Sequence, residues 1–284
     1  YDGSVAEKNR AEDISRVLYP NDSGDEGKVL RLEQEYFFSS ASLQDMLRQY
    51  KKRHGNDFSQ FAALHAVQLN DTHPVLAIPE LVRLLMQEGL DFEAAFAITR
   101  GVFSYTNHTV MPEALETWPR HLLERAVPGL YPIIEKIDGK LRQELSEKGV
   151  PGDVVGRLSI TRDNCAHMAD LAVFAGRYVN GVARLHTEIL KNRVLRDWYS
   201  VYPERFQNKT NGITQRRWLA LCNPELAALL TRLLGSDRWL TDLSALTELT
   251  RYENDEAVMR EFLAIKRTRR GEFADWLQKT HGIT

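Results

Sequence analysis

The stretch from Val67 to Leu85, VQLNDTHPVLAIPELVRLL, constrains the fold more than any other part of the 284-residue chain. An apolar run ending at Leu69 meets a dense polar segment, Asn70-Asp71-Thr72-His73-Pro74, and helix-forming sequence resumes at once. Ala66 to Leu69 is a short strand candidate. Pro79 stands where a first helical residue belongs, because its fixed φ suits a helix start and its missing N–H costs nothing there. Leu81, Leu84 and Leu85 then recur at helical spacing. The same design returns at Tyr105 to Pro119, YTNHTVMPEALETWP, with Pro112 expected at the helix start. A third polar segment, FQNKTNGITQRRWL, runs from Phe206 to Leu219.

Around these segments the pattern is helical, and few strands are evident. Helices are expected over Ala6 to Tyr19, Arg31 to Arg48, Asp91 to Thr99, Pro132 to Lys148, Met168 to Tyr178 and Val182 to Leu190. Gly149 is a natural C-terminal cap, and Asn180-Gly181 reads as a turn dipeptide. Lys51-Lys52-Arg53-His54 reads as a solvated helix end or loop.

Composition removes several function classes. With 37 Lys and Arg against 39 Asp and Glu, the formal charge is -2, so no net field recruits nucleic acid or an anionic membrane. The two cysteines, Cys165 and Cys222, are far apart and lack metal-ligand spacing, which fits a reducing, cytoplasmic compartment. No apolar run approaches the roughly 18 residues needed to span a bilayer. The patterns GxxxxGK[ST], GxGxxG, HExxH and GxSxG are all absent. Both chain ends read as cuts inside a larger protein.

What remains is a set of short hydrogen-bonding side chains, which suits a ligand studded with hydroxyls, such as a sugar. Asn, Asp and Thr also cap helices and build turns, so no single one of them is decisive. Asp71 and Glu113 could form the carboxylate pair of a glycoside hydrolase. A helical interaction module with no chemistry is a further reading.

SRVLYPND (Ser15 to Asp22), LRLEQEYFF (Leu30 to Phe38), NGVARLHTEILK (Asn180 to Lys191) and the three polar segments keep their order and spacing across nearly the whole chain. In these stretches the chain resembles the glycogen, starch and maltodextrin phosphorylases, the retaining α-glucan phosphorylases that use pyridoxal 5'-phosphate. The resemblance implies a helix-rich α/β segment of a two-domain, glycosyltransferase-B-like fold. Residues 1–207 would form the latter part of the N-terminal domain, and 208–284 the beginning of the C-terminal, cofactor-binding domain. The implied reaction is release of glucose 1-phosphate from the non-reducing end of an α-1,4-glucan by inorganic phosphate.

The resemblance also implies residue roles. His108 would be catalytic, contacting the glucose 6-hydroxyl, and Asn211 would share that hydroxyl. Asn21, Asp22 and Ser23 would lie on a mobile loop that gates the site. Asp71, Thr72, His73 and Glu113 would bind the glucan or support its channel, and Trp218 would pack against the cofactor ring. No metal is implied. Ser23 stands where mammalian members carry an asparagine, and Gly24-Asp25 where they carry bulky aromatics. Gln49 replaces the arginine that neighbours Arg48 in nucleotide-activated forms, so the chain is similar to the unregulated bacterial members. The cofactor lysine is expected beyond Thr284. Alone, these residues are expected to be inactive; with the remainder of the parent polypeptide they are expected to act in the cytoplasm as a homodimer.

Overall fold

The computed structural model describes residues 4–283. The chain divides into two compact units, Tyr1–Asn211 and Gly212–Thr284.

In the first unit, α1 (Val5–Arg16) begins with a capping box. The Ser4 hydroxyl accepts from the Glu7 N–H, and the Glu7 carboxylate accepts from the Ser4 N–H. Helix α2 (Asp25–His54) runs well beyond the expected Arg31 to Arg48 at both ends. Two acidic residues fill its first turn and the basic run Lys51 to His54 its last, the arrangement the helix dipole favours. Next come α3 (Phe61–Leu64), β1 (Val67–Asn70), α4 (Ala77–Gln87), α5 (Phe92–Val102) and β2 (Phe103–Thr106). Pro79 is therefore the third residue of its helix rather than the first, and Pro112 opens only a single 3-10 turn, Pro112–Ala114. The chain continues through β3 (Thr117–Pro119), α6 (Arg120–Ala126), α7 (Tyr131–Glu147), α8 (Gly152–Leu158), β4 (Thr161–Arg162), β5 (Cys165–His167) and α9 (Met168–Ala175). The unit ends with β6 (Val179–Gly181), α10 (Arg184–Ile189), a π-helical turn (Leu190–Val194), α11 (Arg196–Val201) and β7 (Phe206–Asn208).

Four of the strands form a wholly parallel sheet in the order β1-β2-β6-β7. Parallel sheets are covered on both faces, and the side chains show it: Leu69, Phe103, Tyr105 and Val179 are buried. Helix α9 is buried along its whole length, as expected of a segment that is apolar all round. Strands β3, β5 and β4 form a small antiparallel sheet. Asn180-Gly181 is not a turn; it is the end of β6. Gly181 is required there by close approach, since a Cβ would lie 2.5 Å from the Thr187 hydroxyl and 2.9 Å from its backbone N and Cα.

In the second unit a π-helical turn (Arg216–Leu221) precedes α12 (Pro224–Leu234), a 3-10 stretch (Leu243–Tyr252) and α13 (Glu256–His281). Asn223 caps α12 through the Leu226 N–H, with Pro224 as the first helical residue. Buried Trp239 donates its indole N–H to the Thr231 hydroxyl at 3.0 Å. No helix among the described residues is long and apolar enough to cross a membrane.

Candidate functional site

The parallel sheet decides where the polar segments go. Each follows the carboxyl end of a strand: Asp71 to Pro74 after β1, Asn107 to Thr109 after β2, Val182 and Ala183 after β6, and Lys209 to Asn211 after β7. Open α/β sheets gather ligands at this edge. Backbone hydrogen bonds extend the ladder past the strands and fix the segments against one another. The Asp71 N–H donates to the Thr106 carbonyl (2.9 Å), Asn107 to Asn180 (3.0 Å) and Asn211 to Val182 (3.0 Å).

Asp71 joins the first two segments. Its φ is +61°, its side chain is almost fully buried, and its carboxylate accepts from the Thr72 N–H (2.8 Å) and the Thr109 hydroxyl (2.9 Å). Both oxygens are thus engaged in holding the edge together. Thr72 is buried beside it, while His108, Glu113 and Asn211 are exposed. The polar rung beneath runs from Gln68 to Thr106 (2.8 Å) and on to Asn180 (2.8 Å).

A cavity of about 280 Å³ opens at this edge, lined by Asp22, Arg31, Thr72, His73, Glu113 and Glu116 among others. Glu113 faces it but Asp71 does not, so the two carboxylates do not share a wall as a hydrolytic pair would. On the loop before α2, the Asn21 side-chain oxygen Oδ1 accepts from the Ser23 N–H at 3.1 Å. Gly27 lets this loop fold onto the helix, since a Cβ there would lie 1.8 Å from the Asn21 backbone oxygen.

Arg31, given no role by its sequence, organises the cavity. Its guanidinium donates to Asp22 (2.8 Å), Glu35 (3.1 Å) and Glu116 (2.7 Å), and one of its nitrogens lies 3.2 Å from His73 Nδ1. Helix α2, the loop before it, the segment after β1 and the residue preceding β3 are thereby tied at one point. Oxygen and nitrogen atoms of Glu35, His73 and Glu116 lie within 4.8 Å of one another, a spacing a metal ion could use. Arg31 donates to both carboxylates and supplies the positive charge itself.

These groups titrate as a unit. Burial, followed by the neighbouring Glu116 carboxylate, pushes the Glu35 carboxyl up to about 9. Burial also acts upward on Glu116, but the His73 hydrogen bond and the charges of Arg31 and His73 outweigh it and hold Glu116 below the usual range. His73 is raised, chiefly by its hydrogen bond to Glu116 and against its burial. At neutral pH, Glu35 therefore keeps its proton and Glu116 is ionised. The hydrogen bond from Arg31 holds Asp22 below the ordinary aspartate range.

Trp218, on the second unit's π-helical turn, is 70% exposed and is not a core residue of that unit. Arg31, Glu35, Glu116 and Thr109 are the site groups that sequence reading passed over. All four lie in the very stretches LRLEQEYFF and YTNHTVMPEALETWP.

Known proteins point the same way as the geometry. Residues 1–284 match the family model described as "Carbohydrate phosphorylase". The chain is similar to "Alpha-glucan phosphorylase, H isozyme" of Triticum aestivum and to "Glycogen phosphorylase, muscle form" of Oryctolagus cuniculus. Each is 44% identical over all of this chain and 35% of the relative's length. It is also similar to "Alpha-glucan phosphorylase 2, cytosolic" of Arabidopsis thaliana, at 42% identity over 97% of this chain and 34% of that protein. The chain spans about a third of the length of these curated relatives. A match along the whole chain, with the polar segments at the carboxyl edge of a parallel sheet, leads to one conclusion: the chain belongs to the carbohydrate phosphorylase family.

Proposed function

We propose that the first unit forms the sugar-facing wall of an α-1,4-glucan phosphorylase, which releases glucose 1-phosphate from the non-reducing end of glycogen or maltodextrin. The observation that carries this is the convergence of polar segments at the carboxyl ends of β1, β2, β6 and β7, beside a polar cavity. Relatives named for α-glucan and glycogen support the substrate class. In this reading the first unit belongs to the latter part of the N-terminal domain and the second opens the C-terminal one. The polypeptide would act in the cytoplasm as a homodimer.

His108, exposed just past β2, is free to turn toward a sugar hydroxyl. A neutral imidazole can donate at one nitrogen and accept at the other, which orients a hydroxyl without taking its proton. Asn211 stands past β7 with its backbone N–H fixed to Val182 and its side chain exposed, ready to share that hydroxyl. Thr72, His73 and Glu113 line the adjoining cavity as glucan-binding groups, with Asp71 bracing them. Asn21, Asp22 and Ser23 gate the entrance, and the pairing of Asp22 with Arg31 sets the loop's resting position.

The exposed indole of Trp218 offers a flat apolar face that fits the ring of pyridoxal 5'-phosphate. When bound, that group supplies a phosphate for proton exchange with the attacking phosphate. Asp71 is consequently spared acid–base work, which agrees with its full set of structural hydrogen bonds.

This assignment is tested by Asp71→Asn in a polypeptide of the relatives' length. The carboxamide disturbs one of the two bonds that hold the edge, so saccharide binding or turnover should fall about tenfold. Complete loss of turnover with saccharide affinity and fold retained would instead give Asp71 an acid–base role.

A further inference from the structure

Asn211 stands on a stretch without regular secondary structure, so its place at the strand ends depends on what holds that stretch. The short helix α10 does so from two sides. Its third residue, His186, accepts at Nδ1 from the Val182 N–H at 3.0 Å, and the carbonyl of the same Val182 accepts from the Asn211 N–H at 3.0 Å. The next residue, Thr187, brings its hydroxyl to 2.9 Å from Asn208 Oδ1, and the Asn208 amide donates to the Thr210 hydroxyl at 3.1 Å. Two neighbouring side chains of one helix thus tie the segment after β6 to the segment after β7.

The local sequence explains the arrangement. Gly181 ends β6 without a Cβ, which lets α10 pack directly on the strand end at Thr187. Side chains on a helix lean toward its N-terminus, and this carries the His186 ring back over Val182, four positions earlier.

The bond from Val182 also fixes the tautomer. With its Nδ1 lone pair engaged by an N–H, the neutral imidazole carries its proton at Nε2. Burial, then the charge of His108, lowers His186 below the ordinary histidine value against the opposing pull of Asp71, so the neutral ring prevails at pH 7. Nε2 is buried with no hydrogen-bond partner among the described residues. The ring therefore makes one hydrogen bond and leaves one buried donor unmet, and in stability the two offset each other. Its remaining effect is geometric: it holds the Val182 peptide, and that peptide holds Asn211.

We propose that His186 is a positioning residue of the sugar site, which through Val182 sets where Asn211 meets the glucose 6-hydroxyl. Its free nitrogen is buried, so the ring acts through the Val182 peptide rather than by touching the sugar. The proposal rests on the assignment of Asn211 to that hydroxyl.

Transfer of glucose onto maltoheptaose tests it, with glucose 1-phosphate and 6-deoxyglucose 1-phosphate as donors and a polypeptide of the relatives' length that contains this chain. His186→Ala should cut kcat/KM for glucose 1-phosphate about tenfold and change that for the 6-deoxy donor less than about twofold, because the analogue lacks the hydroxyl that Asn211 meets. His186→Asn, whose Oδ1 replaces Nδ1 as the acceptor, should restore most of the loss. The double variant His186→Ala/Asn211→Ala should be no slower than Asn211→Ala alone, since the two residues act in series. Undiminished transfer in His186→Ala, equal losses with both donors, no recovery in His186→Asn, or losses that add in the double variant would each overturn the proposal while the unaltered polypeptide still elongates maltoheptaose. An unaltered polypeptide that transfers no glucose would overturn the glucan-site assignment and this proposal with it.

Discussion

Arg31→Ala should destabilise the first unit by about 3 kcal/mol, because it leaves the Glu116 carboxylate buried without its principal cation. The side chains of Glu35 and Glu116 are each only 10% exposed, and Arg31 is 23% exposed, so water replaces the lost guanidinium poorly. About 3 kcal/mol is a large share of a typical domain stability of roughly 5–15 kcal/mol. Urea unfolding followed by circular dichroism measures the loss. The double variant Arg31→Met/Glu116→Gln should lose less than Arg31→Met alone, since removing both charges removes the uncompensated one. A loss below about 1 kcal/mol in Arg31→Ala would mean that His73 alone neutralises Glu116.

Stability should also fall as pH rises from about 5 to 9, and Glu35→Gln should flatten most of that decline. In the unfolded chain Glu35 ionises near its ordinary value of 4.5, whereas in the fold it holds its proton to about 9. Between those values the native state binds more protons, so raising pH favours unfolding, by up to about 1.4 kcal/mol per pH unit for one proton. His73 acts in the same direction. Its folded value is raised, so its contribution is complete below about 6.5 and is lost as pH climbs through the raised value. Glu116 and Asp22, both lowered, lose their contributions only in acid, below this window. Thermal melts at pH 4.5, 7 and 8.5 should show Glu35→Gln close to the unaltered chain at about pH 4.5 and exceeding it increasingly at about pH 7 and 8.5. An identical pH profile in the two proteins would refute the proton held on Glu35.

The helices were legible because their apolar residues recur over three or more turns. Helix α7 follows Ile134, Ile137, Leu141 and Leu145, all buried, and Gly149 just past its end has a φ of +71°. The sheet was harder to read. Its strands are three or four residues long, too short for a period of two to emerge, and β6 ends in Asn180-Gly181, whose local preference is a turn. Two parallel neighbours, β2 and β7, and the close approach of Thr187 override that preference. Arg31 illustrates the other limit. On a charged, amphipathic helix it looks solvated, and its role depends on Glu116, 85 positions later in the chain. Asp71 stood out locally because a polar segment interrupts an apolar one, yet only the fold reveals that both its oxygens brace the edge.

The most direct test of the glucan-site assignment is product analysis with maltoheptaose, using a polypeptide of the relatives' length that contains this chain. With inorganic phosphate present, glucose 1-phosphate should form, and without it no sugar should be released. His108→Ala should cut that turnover about 100-fold while the fold is retained, as expected when a positioned polar contact to the reacting sugar is removed. Release of free glucose independent of phosphate, or full turnover in His108→Ala, would contradict the account.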